Sequence, residues 1–325
     1  MILLCGIPSE PPLRLVAERL EAAGARVVMF NQRRFADCAI SLEVRGGRIE
    51  GELSLSDARY ALADFGAAFS RTMDDRMLPE LEGEAEDSPL RARCRGLHET
   101  LTQWLDLAPG CVVNRSWPTA TNMSKPFQAQ IIRRAGLRTP ETLITTDPQA
   151  VLAFRERHGR VISKSISGVR SIVRELVDDD IANLERIRWC PTQFQALVEG
   201  TEVRVHVVGE ETYAAAVRSE ATDYRYALQQ TGEPAQLRSV ILSDALAEQC
   251  VGLTRSLGLE ISGIDLKVTP DHEVYCFEVN PTPAFSYYEH GAGLPIGAAI
   301  ARLLIRADEG RAAAVSRPPL RAESA

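Results

Sequence analysis

Lysine is nearly absent from this chain of 325 residues. It occurs only as Lys125, Lys164 and Lys267, among 37 basic residues that are otherwise arginine. The seven cysteines are an odd number, scattered without any C-x-x-C. That excludes a disulfide framework or a thiolate zinc site and predicts a reducing, cytoplasmic setting. No run approaches the ~18 consecutive apolar residues of a membrane span, so no membrane partner is expected. The first residues, Met-Ile-Leu-Leu-Cys-Gly, lack the basic flank and long apolar stretch of a signal peptide and predict a strand. A basic domain or stripe is missing too: the net charge is −7, and the pairs Arg33–Arg34 and Arg133–Arg134 are too short to make one. Nucleic acid is therefore excluded as a partner. No G-x-G-x-x-G follows the first strand, which argues against a dinucleotide site. What is left, 45% hydrophobic and 25% charged, is an ordinary soluble globular chain with length for two or three packed units.

Patterning predicts an α/β (α+β) protein in three parts and a tail. Residues 1–114 form an open α/β domain: buried strands near 2–7, 27–30, 67–69 and 111–113, helices at 12–23 and 97–107, and a hairpin over 40–55 turning at Gly46–Gly47. Residues 115–192 form a small α+β unit. Its first helix is capped by Ser124, carries Pro126 in the first turn and ends at Gly136. A second helix follows at 148–158, then two strands joined by a short Ser/Gly loop, 165–170. Residues 193–308 form an antiparallel-sheet unit with a helix at 243–257 and a closing helix whose face carries Ile296, Ile300, Leu303 and Leu304. Residues 309–325 are Ala-, Arg- and Pro-rich and are expected to be a flexible tail.

The richest stretch is 261–289. Two strand-like runs flank Pro270, Asp271 and His272 and predict a hairpin. A two-residue turn at Asp271–His272 sets Asp265 opposite Glu278, with Asn280 on the same face because side chains alternate. Three oxygen donors on one side suit a hard cation such as Mg²⁺, completed by phosphate oxygens and water. An isolated hairpin with a wet face would also leave such acids simply solvated. Lys164 sits in a strand just before the Ser/Gly loop, and Lys125 lies beside a helix N-terminus; both placements suit an anion. Both are equally compatible with exposed surface lysines.

G-I-D-L followed by F-E-V-N-P resembles the metal-binding end of the ATP-grasp superfamily, with Asp265, Glu278 and Asn280 at its three ligand positions. The resemblance implies an ATP-grasp fold: an N-terminal pre-ATP-grasp α/β domain, a small central subdomain and a C-terminal antiparallel-sheet subdomain. It implies ATP and Mg²⁺ (or Mn²⁺) as cofactors. It also implies that Lys125 and Lys164 hold phosphates under a loop containing Ser167 and Gly168. Gln195, Ala196, Leu197 and Val198 resemble the hinge that binds adenine. Gly200, Glu202 and Arg204 match the family's G-x-D-x-R with Glu replacing Asp. Arg204 and Arg218, on adjacent strands, would clamp the γ-phosphate or the activated carboxylate; cross-strand pairing with glutamates is the alternative. V-N-R at 113–115, N-x-x-K…Q and the late Asp223-Tyr224-Arg225 are similar to microviridin-type peptide ligases, in which Arg225 would meet the acceptor carboxylate. The run Asn280-Pro281-Thr282-Pro283 is nearer to RimK-like amino-acid ligases. The implied activity is ATP-dependent carboxylate–amine or carboxylate–hydroxyl ligation through an acyl phosphate, on a ribosomally made precursor peptide. Addition of a free amino acid to a small carboxylate or protein terminus is the second reading, and an ATP-binding regulator without turnover the third. A homodimer is a family-level expectation.

Overall fold

The computed structural model describes residues 1–56, 58–165, 173–218 and 235–315, which divide into two compact units. The first gathers Met1–Trp117, Ala284–Ser286 and the segment from Pro295 onward. Ile2, Leu3, Leu4 and Cys5 are apolar without alternation and wholly buried, as a strand covered on both faces requires. They form β1 (Ile2–Gly6), followed by α1 (Pro11–Ala22) and β2 (Val27–Asn31). A meander of β3 (Cys38–Arg45), β4 (Arg48–Leu55) and β5 (Ala58–Ala61) comes next. Gly46 and Gly47 make its first turn at φ 55 and 79, the paired left-handed conformation of a two-residue hairpin loop. Then come β6 (Ala67–Ser70), α2 (Pro89–Leu107) and β7 (Cys111–Val113). The parallel sheet has the order β2-β1-β6-β7. One of its faces packs Leu3, Cys5 and Phe30 against Leu53, Leu101 and Trp104.

The C-terminal helix (Ile296–Val315) belongs to this first unit, packed against α1 and the parallel sheet, and does not close the C-terminal unit as its apolar face suggested. It also continues to Val315, past the expected end at 308. Its alanines and arginines are strong helix formers. Two contacts anchor its later turns: Asp308 pairs with the Met1 ammonium at 2.7 Å, and Arg311 donates to the Ala63 carbonyl at 3.0 Å.

The second unit, Pro118–Pro283 with Tyr287–Leu294, contains two sheets. Its helix α3 (Lys125–Arg134) has Pro126 in the first turn, but the Ser124 side chain makes no capping bond. The smaller sheet has the order β10-β9-β11-β8, from β8 (Thr142–Thr145), β9 (Val161–Ser165), β10 (Arg174–Glu175) and β11 (Thr192–Ala196). Helix α4 (Pro148–His158) covers one face, where Val151, Phe154, Val161 and Phe194 meet. The larger sheet is built from β12 (Thr201–Val208), β13 (Glu211–Arg218), β14 (Gln236–Val240), β15 (Ile261–Val268) and β16 (Val274–Asn280). Its order is β14-β13-β12-β15-β16, so β16 is an edge. Val203, Val205, Val207, Ile264, Leu266 and Val279 turn toward α3 and α5 (Asp244–Ser256) and form the core of that side. The alternating positions on the other side are polar, and the candidate site lies there.

Candidate active site

The acid pair does face across β15 and β16, by a different route from the two-residue turn. Thr269 N–H donates to the Glu273 carbonyl at 3.0 Å and His272 N–H to the Thr269 carbonyl at 2.9 Å. His272 takes φ 65. The loop therefore has three residues, 270–272, with the last in the left-handed region. Its register, Val268↔Val274 through Leu266↔Cys276, is one residue out of step with the expected one. Such a slip alone would set Glu278 opposite Ile264, toward the helices. A bulge at Phe277 cancels it, so that Asp265 pairs with Glu278 and Gly263 with Asn280. Asp265, Glu278 and Asn280 thus share one face, while Cys276 and Val279 both enter the core.

The neighbouring strand adds to this face. Arg204 lies opposite Asp265, and His206 opposite Gly263. Arg204 is 7% exposed; its Nη1 reaches Asp265 Oδ1 at 2.5 Å, and its guanidinium lies 5.7 Å from the Tyr288 ring centre. Lys125 Nζ donates to Glu278 Oε2 at 3.0 Å and to Asn122 Oδ1 at 2.9 Å. Burial pushes the Glu278 carboxyl up. Lys125, by charge and hydrogen bond, and then Lys164 and Arg204 by charge, outweigh it, so the group sits below its ordinary range. Lys267 pairs with Glu202 at 3.4 Å and lies over the Phe277 ring. Two of the chain's three lysines, Lys125 and Lys267, thus lie on this face, and Lys164 belongs to the smaller sheet.

The smaller sheet presents Lys164 opposite Gln193, with Gln195 two residues on along the same face and its Nε2 donating to Thr142 Oγ1 at 2.9 Å. Ala196 N–H donates to the Glu141 carbonyl and Leu197 N–H to the Arg160 carbonyl. The backbone leaves the sheet at Leu197 and Val198.

Arg218 is not brought to Arg204. Glu202 pairs with Val217 and Arg204 with Ala215, so Arg218 shares the opposite face with Ala216 and Ala214. The two adjacent strands are out of phase at these positions, and the expected double-arginine clamp is not formed. Ser167, Gly168 and Arg225 lie outside the described residues. Gly263 is a site residue that the sequence reading passed over: a Cβ there would fall inside the Arg204 guanidinium and against Pro283. Its signal is a glycine within a strand interior, which marks close approach of another group. Tyr288 and the fully buried His206, whose ring centres are 4.8 Å apart, complete the floor.

Among the described residues no three or more His, Cys, Asp and Glu side chains form a metal cage. Two carboxylates and an amide, already balanced by Lys125 and Arg204, fit a Mg²⁺ that brings phosphate oxygens with it and do not fit a self-sufficient metal centre.

Two sheets joined in one unit, with lysines and an acid pair on their polar faces, define the ATP-grasp class of ligases. The model of the RimK-like ATP-grasp domain matches residues 123–304, more than half the sequence, and the chain belongs to that family. A probable α-L-glutamate ligase from Picosynechococcus sp. is 25% identical over 206 residues, 60% of this chain and 67% of the relative. Among solved structures, the ATP-grasp ligase PsnB complexed with minimal precursor, Mg and ADP superposes with a TM-score of 0.76 at 26% identity. That match covers 95% of this chain and 98% of PsnB. Macrocyclase MdnC from Microcystis aeruginosa, bound with precursor peptide MdnA, gives 0.77 at 24% identity over 94% of this chain and 99% of that one, a likeness of fold. No helix among the described residues is long and apolar enough to cross a membrane.

Proposed function

We propose that this protein is an ATP- and Mg²⁺-dependent ligase that joins a carboxylate to an amine or hydroxyl within a ribosomally made precursor peptide. The observation that carries the reading is the shared face of Asp265, Glu278, Asn280 and Arg204, with Lys125 bonded to Glu278. The peptide comes from the neighbours complexed with precursor peptides over nearly their whole length.

In this reading Asp265, Glu278 and Asn280 would hold Mg²⁺, which supplies charge neutralisation on nucleotide phosphate oxygens. Lys125 and Lys164 pair with the phosphates, and the backbone at Leu197 and Val198 offers its edge to the base. A substrate carboxylate oxygen attacks the γ-phosphorus and the bond to the β,γ-bridging oxygen breaks, releasing ADP. Arg204, held by Asp265 and Tyr288, donates to the developing negative charge, where a buried and oriented guanidinium is most effective. An amine or hydroxyl then attacks the acyl carbon. Phosphate leaves and the nucleophile's proton passes to solvent. The chain's contribution is position and fixed charge, as in other phosphoryl transfers.

The test is ADP release with candidate precursor peptides, read together with product mass. Loss of one water per bond within one peptide supports the proposal. Gain of an amino-acid residue would instead support ligation of a free amino acid, which the RimK-like family match and the α-L-glutamate ligase relative favour. ADP release with neither kind of substrate would remove both.

A further inference from the structure

β16 carries two of the three candidate ligands, yet it is an edge strand with a bulge one residue before Glu278. On one side it is paired with β15. On the other, Cys276 N–H donates to the Arg138 carbonyl at 2.8 Å, beyond which an edge strand's N–H and C=O groups need partners from outside the sheet, and a bulge loosens the pairing that remains. Glu278 and Asn280 need a fixed backbone between them if their oxygens are to meet one small ion. That backbone is Val279.

Gln128, in the first turns of α3, supplies the missing partner. Its Nε2 donates to the Val279 carbonyl at 2.7 Å and its Oε1 accepts from Val279 N–H at 3.2 Å. One side-chain amide thus satisfies both backbone groups of the residue between the two ligands, as a further strand would. Gln128 is 1% exposed, so no water competes for either bond. The Val279 side chain itself is buried with Ile264 and Cys276, which fixes the other side of the same peptide. Gln128 also lies one helical turn after Lys125, whose ammonium holds Glu278. A single helix face therefore sets both the charge and the backbone of β16.

We infer that Gln128 is a positioning residue for the Mg²⁺ site: it touches neither metal nor nucleotide, and it fixes the spacing of Glu278 and Asn280 by clamping Val279. The inference rests on the metal reading given above. Groups that orient metal ligands from behind typically change metal affinity ten- to a hundredfold when removed. A residue that only held the fold together would lower the melting temperature and leave metal affinity alone, or weaken metal-free and metal-dependent binding alike.

The experiment is calorimetric titration of ADP into the full-length wild type and Q128M, in EDTA and over a range of Mg²⁺ concentrations. Methionine keeps the length and volume of glutamine and removes both hydrogen-bonding groups. The expected result is metal-free ADP affinity within about threefold of wild type, and a Mg²⁺ concentration for half-maximal enhancement raised about ten- to a hundredfold. If Q128M fails to fold, Q128E keeps the acceptor for Val279 N–H and must still raise the Mg²⁺ midpoint. An unchanged midpoint in a folded variant, or equal loss with and without Mg²⁺, overturns the inference. A wild type whose ADP affinity ignores Mg²⁺ would instead overturn the metal reading, and this inference with it.

Discussion

Adding one methyl group at Gly263 tests the arrangement around Arg204 without removing any charge. In the strand interior a Cβ at this position would coincide with the Arg204 guanidinium and press on Pro283. The guanidinium has little room to retreat: it is 7% exposed, bonded to Asp265 at 2.5 Å and lies over Tyr288. Overpacking of this kind costs about 1–3 kcal/mol, and losing the Arg204–Asp265 pair would carry the loss toward the ~3–5 kcal/mol of a broken buried pair. The larger effect is expected in turnover. A displaced donor to developing charge costs about 10²–10³ in rate. G263A should therefore release ADP at least about a hundredfold more slowly while its far-UV spectrum stays native. The decisive comparison is a cycle with R204M. If the added methyl acts only by moving Arg204, the double variant is no slower than R204M alone, a non-additivity expected of residues in contact. Additive losses, or wild-type ADP release by G263A, would refute the role assigned to this contact.

Deleting Phe277 should remove the bulge and leave regular pairing of Leu266 with Cys276 and Asp265 with Glu278, so Glu278 and Asn280 keep the site face and calorimetry should still find ADP binding dependent on Mg²⁺; loss of that dependence would contradict the register. In the first unit, Asp75 is bonded to Arg91 at 3.0 Å and Arg95 at 3.1 Å. D75N leaves the buried Arg91 guanidinium with only the exposed Glu86 carboxylate, at 3.9 Å, as a charge partner and should cost about 3 kcal/mol, read as a lowered melting temperature of that unit. Burial, and then the Arg204 charge beside it, holds the His206 imidazole well below its ordinary value. The unfolded chain takes up this proton as pH falls below about 6.5 and the folded chain does not. Stability is thus complete above that pH and lost below it, by up to about 1.4 kcal/mol per pH unit for this group. H206Q should flatten the acid limb of the stability–pH profile by one proton.

Much of the site is legible in the sequence because alternation and composition are local signals. The scarcity of lysine makes Lys125, Lys164 and Lys267 conspicuous, and Lys125 and Lys267 lie on the face of Asp265 and Glu278. The opposition of Asp265 and Glu278 is legible too, but the pairing behind it is not. A two-residue turn and a three-residue loop with a compensating bulge give the same facing pair, and nothing local distinguishes them. Arg218 shows the limit of neighbouring strands as a guide: adjacency does not fix phase, and the register of β12 with β13 sends it to the other face. The C-terminal helix has an apolar face that any sheet could cover, so its sequence does not say which unit it joins. Gln128 is invisible for a related reason. A glutamine in a helix says nothing of a bond to Val279, 151 positions away.

Calorimetry of ATP binding, with and without Mg²⁺, to the wild type and to the D265N/E278Q double variant tests the shared acidic face most directly. The register of β15 and β16 predicts that Mg²⁺ tightens ATP binding to the wild type and has no effect on a folded double variant. An undiminished Mg²⁺ response in the double variant would contradict it.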